Sequence, residues 1–266
     1  MLMSVAMQQL RLFFIALQFF TRIPIPRWIG FEASWLQHAA RYFALVGVVI
    51  AIVCAAVYAL AAIWLPAPVA AVLSTAAGVY LTGAFHEDGF ADVCDGLGGA
   101  STPERALEIM KDSRVGAYGA IGISLLLGLK CLLLAELPQQ MVVAALLLAH
   151  PCSRLAASAL IWRLDYVRVT DSKAKPIAQH MSSGEFAIAC GSTLLVLGLL
   201  AYFGWLRWST IGIALCAAGL MTLWMAHKLV SRIGGYTGDG LGAVQQLSEV
   251  AIYLGILVSL HSASGN

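Results

Sequence analysis

Charge is what this sequence has least of. Asp, Glu, Lys and Arg make up 11% of its 266 residues, against about 25% in ordinary soluble domains. A chain so poor in charge cannot cover a water-facing surface, which excludes the soluble classes. Its formal net charge of +2 is too small to grip a nucleic-acid backbone, so no nucleic-acid partner is expected. Paired cysteines are missing as well. The six cysteines, at 54, 94, 131, 152, 190 and 216, form no CxxC and lie mostly in apolar runs. They read as small buried hydrophobes, not as a disulfide framework. No cleavable leader is expected, because the apolar run at 12–20 leads into Thr21-Arg22-Ile23-Pro24-Ile25-Pro26 instead of small residues. No Pro/Ser-rich linker divides the chain, so one domain over 1–266 is expected.

What is present is apolar, at 60% of residues. About 20 such residues cross a bilayer core as a helix. Spans are expected near 42–65, 69–86, 118–136, 141–162, 186–206, 209–230 and 247–262, the last one short. The fold class is therefore all-α, a polytopic membrane helical bundle of about seven transmembrane helices. Residues 8–21 fit an N-terminal interfacial helix, with four phenylalanines toward lipid and Arg11 and Arg22 at the headgroups. The loops alternate in charge. One set holds Arg22, Arg27, Arg41, Arg105, Lys111, Arg114, Arg163, Arg168, Lys173, Lys175 and Arg232, eleven basic residues against one, Arg207, in the other. The positive-inside rule puts the basic set in the cytoplasm and the chain in the cell inner membrane. Small residues on apolar helices are also compatible with a homo-oligomer.

Seven of the fourteen acidic residues fall between Glu87 and Asp112. Asp88, Asp92 and Asp95 are spaced to share one helical face. Like charges stacked at the edge of an apolar span repel, and the cost grows with depth in the membrane. A divalent cation would offset it. All-oxygen donors favour Mg2+ over zinc. The interleaved Gly89, Phe90, Ala91, Val93 and Cys94 argue against a merely solvated acidic loop.

Other polar residues point the same way. Asp112-Ser113-Arg114-Val115-Gly116 ends a polar helix just before a span. Arg154 lies inside an apolar run, four residues after His150 and just past Pro151. Intramembrane charge is by default functional, and Arg suits phosphate, although a buried structural ion pair would also explain it. Lys130 reads as snorkelling or paired with Glu136. Arg232 opens a glycine-rich stretch through Gly234, Gly235, Gly238, Asp239, Gly240 and Gly242, read as a loop that lets backbone approach a phosphate.

Taken together, Phe20–Pro26, Gly83–Gly96, Leu107–Gly116, Ser153-Arg154 and Gly234–Ala243 resemble the cobalamin synthase (adenosylcobinamide-GDP ribazoletransferase) family. The stretches occur in the family's order over nearly the whole chain. The run His86-x-Asp88-Gly89-x-x-Asp92-x-x-Asp95-Gly96 is the most specific of them. Glu87 stands at a position the family is not expected to fix and is left out of the site. The resemblance implies a transferase that joins adenosylcobinamide-GDP to α-ribazole or its 5′-phosphate, releases GMP and uses Mg2+. On that reading Asp88, Asp92 and Asp95 hold the ion, with Asp112 or Asp239 completing a second site. Arg22, Arg114, Arg154, Arg232 and Gly238 bind phosphate, and His86 activates the attacking hydroxyl. Two other readings compete. A CDP-alcohol phosphotransferase also uses membrane aspartates, but its Ala-Arg pair is not found after Gly89. A cation transporter would spread acids near the midplane of several spans, whereas here they crowd one loop.

Overall fold

The computed structural model describes residues 2–30, 32–167 and 179–264. Arg168, Lys173 and Lys175 of the basic loop set lie outside the described residues. The chain is helical almost throughout: α1 (Leu2–Phe20), α2 (Ala33–Ala39), α3 (Phe43–Ala61), α4 (Ala67–Thr82), α5 (Phe85–Gly99), α6 (Pro103–Met110), α7 (Ala117–Glu136), α8 (Gln139–Arg163), α9 (Ser183–Tyr202), α10 (Trp208–Ile233) and α11 (Gly238–Ser264). Among the described residues, six stretches are long and apolar enough to cross a membrane, and α4 with α5 makes a seventh if that bent pair counts as one. The expected polytopic bundle is present, with the short apolar helix α1 ahead of it.

Local chemistry sets the boundaries. Pro66 and Pro68 open α4, where a missing N–H costs nothing. Thr102 caps α6, and Ser182 with Glu185 forms a capping box on α9. Gly234 ends α10 in the left-handed region at φ 82°.

Two boundaries differ from expectation. The stretch read as one span over 69–86 breaks at Gly83 and Ala84. Both adopt left-handed φ, at 67° and 60°, and α5 leaves α4 at 91°. Left-handed backbone is unusual for alanine. The carbonyl of Leu81 holds the bend by accepting the N–H of Arg22 at 2.8 Å. The last helix is also no short span. It starts at Gly238 and runs 27 residues, so half of the expected glycine-rich loop is its first turn.

Burial separates centre from periphery. In α8 and α11, 72% of the apolar window is inside the protein, against 22–28% in α7, α9 and α10. The outer helices turn leucines such as Leu125, Leu195 and Leu223 outward, as a lipid-facing surface requires. Lipid supplies no hydrophobic drive between helices, so close packing through small residues must hold the centre. Gly47 of α3 lies against the backbone of His150 and Pro151 in α8. Pro151, with no N–H, leaves a helical carbonyl without its usual donor at this crossing. Gly255 of α11 likewise abuts the Ala214 backbone of α10.

The loops after α1, α5, α8 and α10 meet at one end. Besides the Arg22–Leu81 bond, Arg232 reaches the Ala100 carbonyl at 2.6 Å. Val167 and Asp165 bond the backbone of Tyr236 at 2.9 and 3.0 Å.

A Cβ on Gly47 would sit 2.6 Å from the His150 carbonyl oxygen. Gly47→Ala is expected to cost roughly 1–3 kcal/mol and to lower the unfolding midpoint of the detergent-solubilised protein by about 5 °C. Gly191→Ala, in open space on α9, should leave the midpoint equal or higher.

Candidate functional site

Helix α5 lies at the end where these loops gather, and its two faces differ in character. Asp88 is exposed and Asp92 half-buried on one side, while His86 and Glu87 are buried on the other. Helix α11 packs against it backbone to backbone. A Cβ on Gly89 would stand 2.9 Å from the Asp239 Cα, and one on Gly242 would stand 3.0 Å from the His86 carbonyl. Only glycine permits this approach, and it brings Asp239 beside the acidic face of α5. The charged groups acting on Asp92 are all acidic, namely Asp239, Asp88 and Asp95. The one acting on Asp239 is Asp88. Among the described residues, no basic side chain acts on either carboxyl. Asp239 also stands in the first turn of α11, where the helix dipole favours negative charge.

The wider set of five carboxylates read from the sequence is not one cluster. Among the described residues, no three His, Cys, Asp or Glu side chains converge closely enough to hold an ion by themselves. Asp95 is buried at 8% exposure and turned to α7. Its two oxygens accept the N–H groups of Gly116 and Gly119 at 2.7 and 2.8 Å. It therefore satisfies amides that the start of α7 leaves without helical acceptors. Asp112 pairs with Arg114 in a local turn, accepting from its backbone N–H at 3.1 Å and from Nε at 3.0 Å. The side-chain and backbone hydrogen bonds from Arg114 hold the Asp112 carboxyl down at about 2. Any stability from this pair is complete above the unfolded carboxyl value of about 4 and is lost as pH falls toward 2. Asp88, Asp92 and Asp239 lie within electrostatic reach of one another but do not converge on one point.

The expected phosphate-binding residues also separate. The Arg22 guanidinium is exposed at the α4–α5 break, 5.0 Å from the Tyr80 ring centroid and beside Gly83. Arg114 is exposed and held by Asp112. Gly238 opens α11 with free space around it. Arg232 is spent on the Ala100 carbonyl just past α5, which fixes the far end of the acidic helix. Arg154 is 3% exposed inside the bundle, donating to the His150 carbonyl at 3.0 Å.

His86, expected to activate a hydroxyl, is 4% exposed. Its ring stacks on Phe20 with centroids 5.4 Å apart. It lines an internal chamber with Glu87, away from the exposed Asp88. Helical geometry separates the two, since residues two apart lie about 200° around the axis and His86 and Asp88 therefore face opposite sides.

The chamber also holds residues that the sequence reading passed over. Lys130 pairs with Glu249 at 2.6 Å, not with Glu136. Glu249 further accepts from Gln245 at 2.6 Å and Tyr253 at 3.0 Å. Glu87 accepts from Gln246 at 2.9 Å. The signal was present, because Gln245, Gln246 and Glu249 are polar residues in an apolar helix. Drawing the span at 247–262 put two of them in a loop. Tyr166 was missed too. It lies beside Tyr236 and within electrostatic reach of Asp239, and only the pairing of two loops puts it there.

Fold and site together define a polytopic helical membrane protein with an acidic face where a bent helix meets the last one. Comparison then places it. A family model described as cobalamin-5-phosphate synthase matches residues 12–257. A Shewanella frigidimarina protein is 47% identical, covering 94% of this chain and 95% of its own. A Leptothrix cholodnii protein is 47% identical, covering 97% and 99%. A Vibrio cholerae protein is 44% identical, covering 95% of each. All three are named adenosylcobinamide-GDP ribazoletransferase. The chain belongs to the cobalamin-5-phosphate synthase family and is a transferase. No solved structure matches it.

Two neighbouring aspartates should respond oppositely to loss of charge. Asp95→Ala strands two amides and should destabilise the protein by roughly 1–3 kcal/mol. Asp92→Asn relieves repulsion and should leave the unfolding midpoint in detergent unchanged or raised. Equal losses in the two variants would contradict this division of roles.

Proposed function

We propose that the chain transfers the adenosylcobinamide phosphate moiety from adenosylcobinamide-GDP to α-ribazole, or to its 5′-phosphate, with release of GMP. The names of its relatives support the substrates. Family membership sets aside the CDP-alcohol phosphotransferase and cation-transporter readings. The observation that supports the site is geometric: Gly89 and Gly242 let α5 and α11 touch, which brings Asp239 within electrostatic reach of Asp88 and Asp92.

That donor set fits Mg2+, which takes one or two carboxylates and leaves its other positions for water and substrate phosphate. One or two of Asp88, Asp92 and Asp239 would hold it, with water and substrate phosphate in its other positions, and when bound it would neutralise diphosphate charge. Asp95 would contribute by fixing α7 to the acidic helix. In the reaction, a hydroxyl oxygen of the ribazole ribose forms a bond to the phosphorus on the cobinamide arm and gives up its proton to water. The bond from that phosphorus to the bridging oxygen breaks, and GMP leaves with that oxygen. The protein's task is to hold the attacking and leaving oxygens in line. Arg22, exposed at the start of α5, is placed to receive diphosphate oxygens. Arg114 can join it if substrate draws it from Asp112. Arg154 and Arg232 already have internal partners and serve the scaffold.

The reading also has the site facing the cytoplasm from the inner membrane. Its support is the convergence of the basic loops at the end that carries α5.

Membranes containing the protein should release GMP from adenosylcobinamide-GDP only when ribazole and Mg2+ are both present. Asp88→Asn and Asp92→Asn should each lower kcat/KM on the order of 100-fold or more, with the protein still monodisperse in detergent. CMP release from a CDP-alcohol, or full turnover in chelator, would refute the assignment.

A further inference from the structure

The buried side of α5 closes a chamber inside the bundle, against α8 and α11. Its charges balance, with Lys130 and Arg154 against Glu87 and Glu249. Its hydrogen bonds do not. Glu249 is well supplied, by Lys130, Gln245 and Tyr253. Four other buried atoms have no hydrogen-bond partner among the described residues: Glu87 Oε2, Gln246 Oε1, Arg154 Nε and His150 Nε2. Their residues are 7, 2, 3 and 3% exposed, and all four line the same cavity. Inside a bilayer no bulk solvent can satisfy such groups.

The atoms define what would fit. Gln246 Nε2 donates to both Glu87 and Gln245, at 2.9 Å each, which fixes its amide with Oε1 as an acceptor. The set is therefore two acceptors, one N–H donor, and a ring nitrogen able to play either part. A cation would meet the Arg154 guanidinium, and an anion would meet the Glu87 carboxylate. A neutral molecule with two donors and two acceptors satisfies both sides. The cavity leaves about 10 Å3 for the centre of a water molecule, close to the least that holds one.

We propose that this chamber is an internal water site. The water donates to Glu87 Oε2 and Gln246 Oε1 and accepts from Arg154 Nε–H. It thereby joins α5, α8 and α11 in one hydrogen-bonded ring beneath the acidic face. If the functional reading above holds, that ring also sets the spacing of Asp88 and Asp92 from Asp239.

Radiolytic footprinting of the full-length protein in lipid nanodiscs and H2(18)O tests the site, because hydroxyl radicals form where ordered water sits. Ile50 lines the chamber and Ile252 does not, and both are 0% exposed. Ile50 is expected to take up 18O at least several-fold faster than Ile252. Equal rates in the wild-type protein would overturn the proposal, and that comparison needs no variant to fold. Gln246→Leu removes an acceptor and fills space, and should bring Ile50 down to the rate of Ile252. An undiminished Ile50 rate in a folded Gln246→Leu protein would equally count against the site. The labelling is independent of turnover. Absence of GMP release with Ile50 still labelled would defeat the functional reading alone.

Discussion

The bundle turns on the contact between α5 and α11, made possible by two residues without side chains. Gly89 and Gly242 let the two backbones touch, and nothing bulkier could occupy either position without forcing the helices apart. The contact places Asp239 by Asp88 and Asp92 on one side of α5. On the other it places Gln246 by Glu87 at 2.9 Å. One packing event therefore builds both the acidic face and the chamber behind it. The two regions differ in charge: like charges crowd the first, whereas the second pairs Lys130 and Arg154 with Glu87 and Glu249.

The other polar groups serve that geometry. Asp95 accepts from the first amides of α7, which anchors the acidic helix to its neighbour. Arg232 holds the carbonyl just beyond the other end of α5. The bend at Gly83 and Ala84 aims α5 at 91° to α4, and Arg22 ties the incoming chain to that bend. Residues that look from their types like ligands for phosphate or metal thus divide into two groups. Asp88 and Arg22 are exposed, and Asp92 is half-buried, at the end where α5 meets α11. Asp95, Arg154 and Arg232 hold the frame that presents it.

Much of the fold was legible because membrane insertion depends on length and apolarity, which are properties of contiguous sequence. The spans through α7, α8, α9 and α10 and the apolar helix ahead of them follow from that. The two boundary errors share a cause. Gly83-Ala84 and Gly238 both lie where local composition suits either a loop or a helix, and packing against another helix decides between them. The site was legible to the same extent. Acidic residues dense in one stretch pointed to α5, but their spacing of four and three residues could not say that Asp95 turns to Gly116 and Gly119. Polar residues in the last helix carried their own signal, weakened by starting that helix nine residues late.

By itself the sequence determined that this chain is a polytopic helical membrane protein, that its acidic residues crowd one stretch, and which family it resembles. Each of those depends on residue type at short range. The tertiary structure alone decided which carboxylates share a face, that His86 and Arg154 turn inward, and that Lys130 meets Glu249 across 119 positions of chain. Partners so distant are chosen by how closely two backbones can approach. That distance is set by where glycines on different helices happen to meet, which no single stretch of sequence records.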